Sequence, residues 1–134
     1  MKKILIADDD PKILAALTRR LEANQYEVLA AGNGFEAMKL ILEEKPDLLL
    51  LDIWMPVGLG FSVAERLREC RLNIPVIFLT ASRAPGLTDV ARNVGAAAFV
   101  EKPYDPEHLL RLIDKVLQPG NPAMAESCPD PQPA

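Results

Sequence analysis

The stretch from Pro46 to Pro56, which reads PDLLLLDIWMP, constrains the fold more than any other part of the chain. It contains four consecutive leucines, Leu48 to Leu51, followed directly by Asp52. A short apolar run without polar alternation is typical of a strand that is buried on both faces of a parallel sheet. In open α/β sheets, ligands bind at the carboxyl ends of the strands. The sequence therefore predicts a buried strand that carries Asp52 to a functional edge, although an Asp at this position can also simply begin a loop.

Short apolar runs alternate with amphipathic segments along the rest of the chain. The predicted strands cover residues 3–7, 26–30, 48–51, 76–79 and 97–100. The predicted helices begin at Asp10-Pro11, at Asn33, near Phe61, near Leu87 and at Asp105-Pro106, where several of these residues are typical N-caps or first-turn prolines. Five alternations predict an α/β fold: a doubly wound, five-stranded parallel sheet of flavodoxin-like order 2-1-3-4-5.

Apolar spacing predicts the buried face of each helix. For the second helix we expect this face to carry Phe35, Met38, Ile41 and Leu42. For the last helix the corresponding residues are Leu109, Leu110, Ile113, Val116 and Leu117.

Composition limits the class of protein. The 134 residues suit one domain, with 49% hydrophobic and 25% charged residues. A formal net charge of -4 without a basic stripe argues against direct binding of nucleic acid. No apolar run is long enough to cross a membrane, so we expect a cytoplasmic protein. The folded domain is predicted to span residues 1–118, and residues 119–134, with five prolines, are expected to form a disordered tail or linker stub.

Polar residues follow four of the five predicted strands. Asp8 and Asp9 come after the first, Asp52 after the third, Thr80 after the fourth and Lys102 after the fifth. The predicted strand order places them along one edge, where the carboxylates would repel one another without a cation. Hard oxygen ligands suit Mg²⁺. Each residue alone has an ordinary structural explanation, but together they predict a phosphoryl-transfer site in which Asp52 is phosphorylated.

The motifs LIADDD, LLLLDIWMP, PVIFLTA, NVGAAAF and EKP occur in this order, each at a predicted strand or its end. With these motifs the chain resembles the receiver domains of bacterial two-component response regulators, over about residues 3 to 118. The resemblance implies a phosphorylation-activated signalling switch. Its phosphodonor would be a sensor histidine kinase or a histidine phosphotransfer protein.

The resemblance also implies a role for each site residue. Asp8 and Asp9 would form the acidic pair, with Asp9 the more direct Mg²⁺ ligand, and the backbone carbonyl of Trp54 would complete the metal site. Asp52 would be the phosphoacceptor.

Three further residues would respond to the phosphoryl group. Thr80 would hydrogen-bond it, and Lys102, before a cis Pro103, would pair with one of its oxygens. Phe99 would rotate inward when Thr80 moves. The resulting change would reach an output domain or partner protein through the surface of the fourth helix, fifth strand and fifth helix.

Oligomeric state and context stay open at this point. His108 and Leu112 stand where many DNA-binding members of the family carry a Glu and an Arg that form salt bridges between subunits. We therefore expect a monomer or a phosphorylation-dependent dimer. The chain could be a stand-alone receiver or a receiver from a larger regulator.

Three other functions are weighed against this interpretation. A pseudo-receiver that only scaffolds would not need the full set of acids with Thr80 and Lys102. A phosphatase of the haloacid dehalogenase type needs a second Asp two residues after the nucleophile, where this chain has Trp54. A flavin or nucleotide binder is disfavoured because the first strand ends in acids and no glycine-rich fingerprint follows it.

Overall fold

A computed structural model describes residues 1–53, 60–80, 86, 89, 93, 95–102 and 104–118, with residues 60 and 61 described through their backbone alone. Its sheet contains β1 (Lys3–Ala7), β2 (Glu27–Ala31), β3 (Leu48–Asp52), β4 (Val76–Thr80) and β5 (Ala98–Glu101). All neighbouring strands are parallel, in the order β2-β1-β3-β4-β5. The predicted fold class and strand order are confirmed.

The helices of the described part are α1 (Pro11–Ala23), α2 (Gly34–Glu44), α3 (Gly60–Glu69) and α4 (Pro106–Leu117). Most of the predicted helix near residues 87–94, and the tail 119–134, lie outside the described residues. Among the helices that are described, none combines the length and the apolarity that a membrane span requires.

The predicted N-caps of three helices are present. The Asp10 carboxylate accepts a hydrogen bond from the backbone N–H of the second helical residue at 2.9 Å, and the Asp105 carboxylate does the same at 3.1 Å. The Asn33 side chain accepts from the N–H of Glu36 at 2.8 Å. Glu36 in turn accepts from the N–H of Gly32 at 2.8 Å. These caps satisfy backbone donors that the first helical turn leaves unpaired.

The sheet is buried on both faces because helices pack against each of them, and successive strand residues point to opposite faces. One set of side chains packs with α1 and α4, and we call it the α1/α4 core; its strand members are Ile4, Ile6, Leu48, Leu50, Ile77, Leu79 and Val100. The other set packs with α2 and α3 as the α2/α3 core; its strand members are Leu5, Ala7, Ala31, Leu49, Leu51, Val76 and Phe78. This is the doubly wound arrangement.

The predicted buried face of α2 is wrong in part. Ile41 is fully buried, but Phe35 is 71% exposed and Leu42 is 55% exposed. The helix instead turns Gly34 and Ala37 toward the sheet. These small residues let the helix lie close to the strands. The predicted Met38 packs against the α2/α3 core beside Ile41, and only Phe35 and Leu42 of the predicted face point outward. In α4 the predicted Leu109, Ile113 and Val116 are buried.

Polar contacts connect α4 to α1 and to the segment before β2. The Tyr26 hydroxyl donates a hydrogen bond to the Asp114 carboxylate, and Arg20 lies 3.5 Å from the Glu107 carboxylate. Burial raises the pKa of the Tyr26 phenol above its ordinary range, and the contact with Asp114 raises it further. The phenol therefore remains a donor at neutral pH. The Arg20 contact holds α4 against α1, and the Tyr26 contact holds α4 against the segment that leads into β2.

Two leucines allow a matched test of the sheet core. Leu50→Ala should lower the free energy of unfolding by about 2–5 kcal/mol, because Leu50 is fully buried in β3 and its truncation leaves a cavity. Leu42→Ala should lower it by less than about 1 kcal/mol, because the Leu42 side chain is already half exposed. Urea unfolding monitored by circular dichroism measures both. Equal losses in the two variants would contradict the described orientation of α2.

Candidate functional site

Four predicted site residues lie at the carboxyl edge of the sheet. Asp52 and Thr80 are the last residues of β3 and β4. Asp8 follows β1 directly, and its backbone N–H donates to the carbonyl of Ala31 at 3.1 Å. Lys102 follows β5, and its N–H donates to the carbonyl of Thr80 at 2.7 Å. These backbone bonds extend the ladder beyond the strands and hold the side chains in neighbouring positions.

The carboxylates of Asp8, Asp9 and Asp52 form one cluster. An oxygen from each lies within 4.8 Å of the oxygens of the other two. Asp8 is 1% exposed and Asp52 is 7% exposed, whereas Asp9 is exposed. The cluster is therefore shielded from water on its inner side and open on the side of Asp9.

The Lys102 ammonium compensates part of this negative charge. Its Nζ donates a hydrogen bond to Oδ2 of Asp8 at 2.8 Å and lies 3.6 Å from Oδ2 of Asp52. The other oxygen of Asp8 accepts from the backbone N–H of Asp10 at 2.9 Å. The ammonium thus contacts two of the three carboxylates, and negative charge remains in excess among these four groups.

This donor set fits a small hard cation. Its oxygens are those that Mg²⁺ prefers, and the exposed position of Asp9 leaves room for the water ligands that Mg²⁺ usually keeps. A cation there would also relieve the repulsion among the three carboxylates.

Two of the predicted response residues, Thr80 and Phe99, lie on the other face of the sheet. Thr80 continues the alternation of Val76 and Phe78, which belong to the α2/α3 core, and it is fully buried. Phe99 is opposite Phe78 in the register of β4 and β5, and it packs against the same core while it stays partly exposed. Asp52, by contrast, continues the alternation of Leu48 and Leu50 toward the α1/α4 core. Asp52 and Thr80 thus lie at the ends of neighbouring strands, on opposite faces of the sheet.

Tyr104 is a site neighbour that the sequence reasoning missed. It packs against the α1/α4 core two residues after Lys102. Burial raises the pKa of its phenol, the negative charge of Asp8 raises it further, and Arg20 lowers it. Its position two residues after Lys102 was the signal that could have indicated a place near the site. Tyr104 is uncharged, so the pattern of Asp, Thr and Lys residues at the strand ends did not include it. Trp54 and Pro103 lie outside the described residues.

Charge excess at this edge predicts a measurable effect on stability. In EDTA, Asp52→Asn should raise the free energy of unfolding by about 1 kcal/mol, because it removes one of three crowded negative charges. Mg²⁺ should stabilise the parent and do so less in the variant, since it binds the folded state through these groups. Chemical denaturation with and without Mg²⁺ measures both effects.

Glu43→Gln is the control for that experiment. Glu43 is exposed near the end of α2, and this end lies at the opposite edge of the sheet, where Lys3 of β1 contacts Glu44. Its loss should change stability by less than about 0.5 kcal/mol and leave the Mg²⁺ effect intact. A loss of stability in Asp52→Asn under EDTA would contradict the charge excess.

Comparison with known proteins places the chain in a family. The sequence profile of the family described as response regulator receiver domain matches residues 4–114. Two curated relatives are regulators from bacteria. The alkaline phosphatase synthesis transcriptional regulatory protein PhoP of Bacillus subtilis is 34% identical over 117 residues, which cover 87% of this chain and 49% of PhoP. The phosphate regulon transcriptional regulatory protein PhoB of Pseudomonas aeruginosa is 36% identical over 128 residues, which cover 94% of this chain and 56% of PhoB. The chain thus spans about half the length of these relatives.

Solved structures show the same similarity in three dimensions. A CheY-like response regulator receiver domain protein from Methanospirillum hungatei has a TM-score of 0.83 at 33% identity, with 87% of this chain and 94% of that chain covered. The response regulator TrrA from Thermotoga maritima, in complex with Mg²⁺ and BeF, has a TM-score of 0.79 at 34% identity, with 87% and 100% covered. With its fold, its edge of acids and lysine, and these similarities, the chain belongs to the response regulator receiver domain family.

Proposed function

We propose that this domain is a phosphorylation-activated switch that accepts a phosphoryl group on Asp52. The donor would be a phosphohistidine of a sensor histidine kinase or of a histidine phosphotransfer protein. The observation that carries the proposal is the convergence of three carboxylates and the Lys102 ammonium at the carboxyl edge of the sheet. A protein that only scaffolds has no need to assemble such a charge cluster, which costs stability.

Asp52 is the proposed nucleophile. One carboxylate oxygen attacks phosphorus, so that an O–P bond forms while the P–N bond to the donor imidazole breaks and leaves its electron pair on nitrogen. The product is an acyl phosphate on Asp52 and a free histidine on the donor. The largely buried position of Asp52 limits the access of water to that product.

Lys102 and Thr80 are the proposed partners of the new phosphoryl oxygens. Lys102 Nζ lies 3.6 Å from Asp52 Oδ2, so a small side-chain movement brings the ammonium to an oxygen carried by Asp52. Thr80 ends the strand next to β3, and its hydroxyl would donate a hydrogen bond to another oxygen. Both contacts would strengthen as charge develops on the phosphoryl group.

Asp8, Asp9 and Asp52 are the proposed protein ligands of Mg²⁺, with the backbone carbonyl of Trp54 as a further ligand. Bound there, Mg²⁺ would neutralise charge on the transferring phosphoryl group. The domain would thereby assist its own phosphorylation and the slow hydrolysis of the product, without turning over a separate substrate.

The output is proposed to pass through the surface of the predicted fourth helix, β5 and α4, where α4 is the fifth of the helices predicted from the sequence. Residues 1–118 would form the receiver and residues 119–134 a tail or linker. The partner would be an output domain or a separate protein, and this chain itself would not bind nucleic acid or membranes. We propose a cytoplasmic monomer or a dimer that forms on phosphorylation.

Chemical labelling tests the phosphoacceptor. With acetyl phosphate and Mg²⁺, the parent should gain one phosphoryl group that hydroxylamine removes, as mass spectrometry of the intact protein would show. Asp52→Asn should not be labelled, because an amide is not a nucleophile of this kind. Asp47→Asn is the control. Asp47 lies directly before the same strand, where its carboxylate accepts a hydrogen bond from the backbone N–H of Lys3, and its loss should leave labelling intact. Labelling of Asp52→Asn at the parental rate would identify another carboxylate as the acceptor.

Amide NMR tests the switch. Beryllofluoride with Mg²⁺ should shift resonances in the parent from Thr80 through about Leu110, because a bistable packing couples Thr80 to Phe99. Thr80→Ala should still bind beryllofluoride but lose the shifts around Phe99. Thr80→Ser keeps the hydroxyl and should retain most of them. Full shifts around Phe99 in Thr80→Ala would show that the response takes another route.

A further inference from the structure

The end of α3 is connected to the segment that leads into β5. The Arg68 guanidinium donates a hydrogen bond from Nη1 to the backbone carbonyl of Asn93. Arg68 follows Leu67, which is buried in the α2/α3 core, so the backbone that carries the guanidinium is fixed by packing. A rigid helix thus reaches across to a carbonyl 25 residues later in the chain.

Asn93 lies just before the turn into β5. Gly95 has a φ of 83°, in the left-handed region that favours glycine. The N–H of Ala97 then donates to the carbonyl of Val76 at 2.8 Å, where pairing with β4 begins. A contact that holds Asn93 therefore also restrains the point at which the chain enters β5.

This point belongs to the same core as the proposed response residue. Ala96 and Phe99 both pack against the α2/α3 core, to which Leu67 contributes and against which Leu72 packs. Thr80 continues the β4 residues of that core. A shift of the backbone from Asn93 to Ala96 relative to α3 would therefore change the distance that the Arg68 hydrogen bond has to span.

The chemistry of the contact suits a reversible restraint. A guanidinium stays charged at all physiological pH values, so its bond to a carbonyl is charge-assisted and constant. Arg68 and Asn93 are both exposed, so water can satisfy the two groups when the bond opens. The contact can therefore favour one packing without preventing the other.

We propose that Arg68 is a positioning residue that stabilises the packing described here against the alternative packing that switching requires. The inference rests on the proposed function. A bond made in only one of two packings shifts the equilibrium by its own free energy, and a ligand that favours the other packing must overcome it. Arg68 would thus set how much phosphoryl signal is needed to activate the domain.

The test compares Arg68→Met, which keeps the aliphatic stem and removes the donors, with Arg68→Lys, which keeps one donor group and the charge. Arg66→Met is the matched control, because Arg66 is also exposed in the last turn of α3. Amide hydrogen exchange at Ala97 without ligand reports the restraint. A beryllofluoride titration at saturating Mg²⁺, followed at the Phe99 resonance, reports the switch.

Arg68→Met should speed exchange at Ala97 by about threefold to tenfold and lower the beryllofluoride midpoint by about threefold, the effect of one exposed hydrogen bond. Arg68→Lys should lie close to the parent, and Arg66→Met should change neither quantity. An unchanged midpoint in Arg68→Met, whether exchange rises or not, would overturn the proposal. If the parent itself shows no response to beryllofluoride, the proposed function fails and this inference falls with it.

Discussion

Two-sided burial of β3 is the constraint on which the rest of the structure depends. Leu48 and Leu50 pack into the α1/α4 core, while Leu49 and Leu51 pack into the α2/α3 core. A strand with no polar face is stable only between other strands and between helix layers, so β3 occupies the centre of the sheet. Its end therefore lies in the middle of the carboxyl edge, between the ends of β1 and β4, and this is where Asp52 lies.

Burial of the carboxylates at this edge also carries an electrostatic cost in folding free energy. Asp8 and Asp52 are almost fully buried, and Lys102 hydrogen-bonds to Asp8 while it stays farther from Asp52. Such crowding of like charges opposes folding, but it also makes the edge responsive to any cation or phosphoryl group that changes the balance. The stability needed to tolerate it comes from the two apolar cores beneath the edge.

Strand alternation separates the proposed nucleophile from the proposed response residues. Asp52 continues the residues of the α1/α4 core, whereas Thr80 and Phe99 belong to the side of α2 and α3. The end of β4 connects the two sides. The Thr80 carbonyl accepts a hydrogen bond from the backbone N–H of Lys102, whose side chain lies near Asp52. The proposed action of the Arg68 contact is on the side of Thr80 and Phe99, away from the carboxylates.

The sequence by itself determined the strand order class, the caps at Asp10, Asn33 and Asp105, and the edge that gathers the acids and Lys102, because these follow from local periodicity and from the geometry of parallel sheets. Only the tertiary structure decided which side of α2 is buried. Phe35 and Leu42 have the helical spacing of a core face, but the smaller Gly34 and Ala37 lie against the sheet. The tertiary structure also decided that Lys102 bonds to Asp8, and that Tyr104 and Arg68 lie where they do. Side-chain pairing between distant segments depends on distances across the fold, and the order of residues along the chain does not contain those distances.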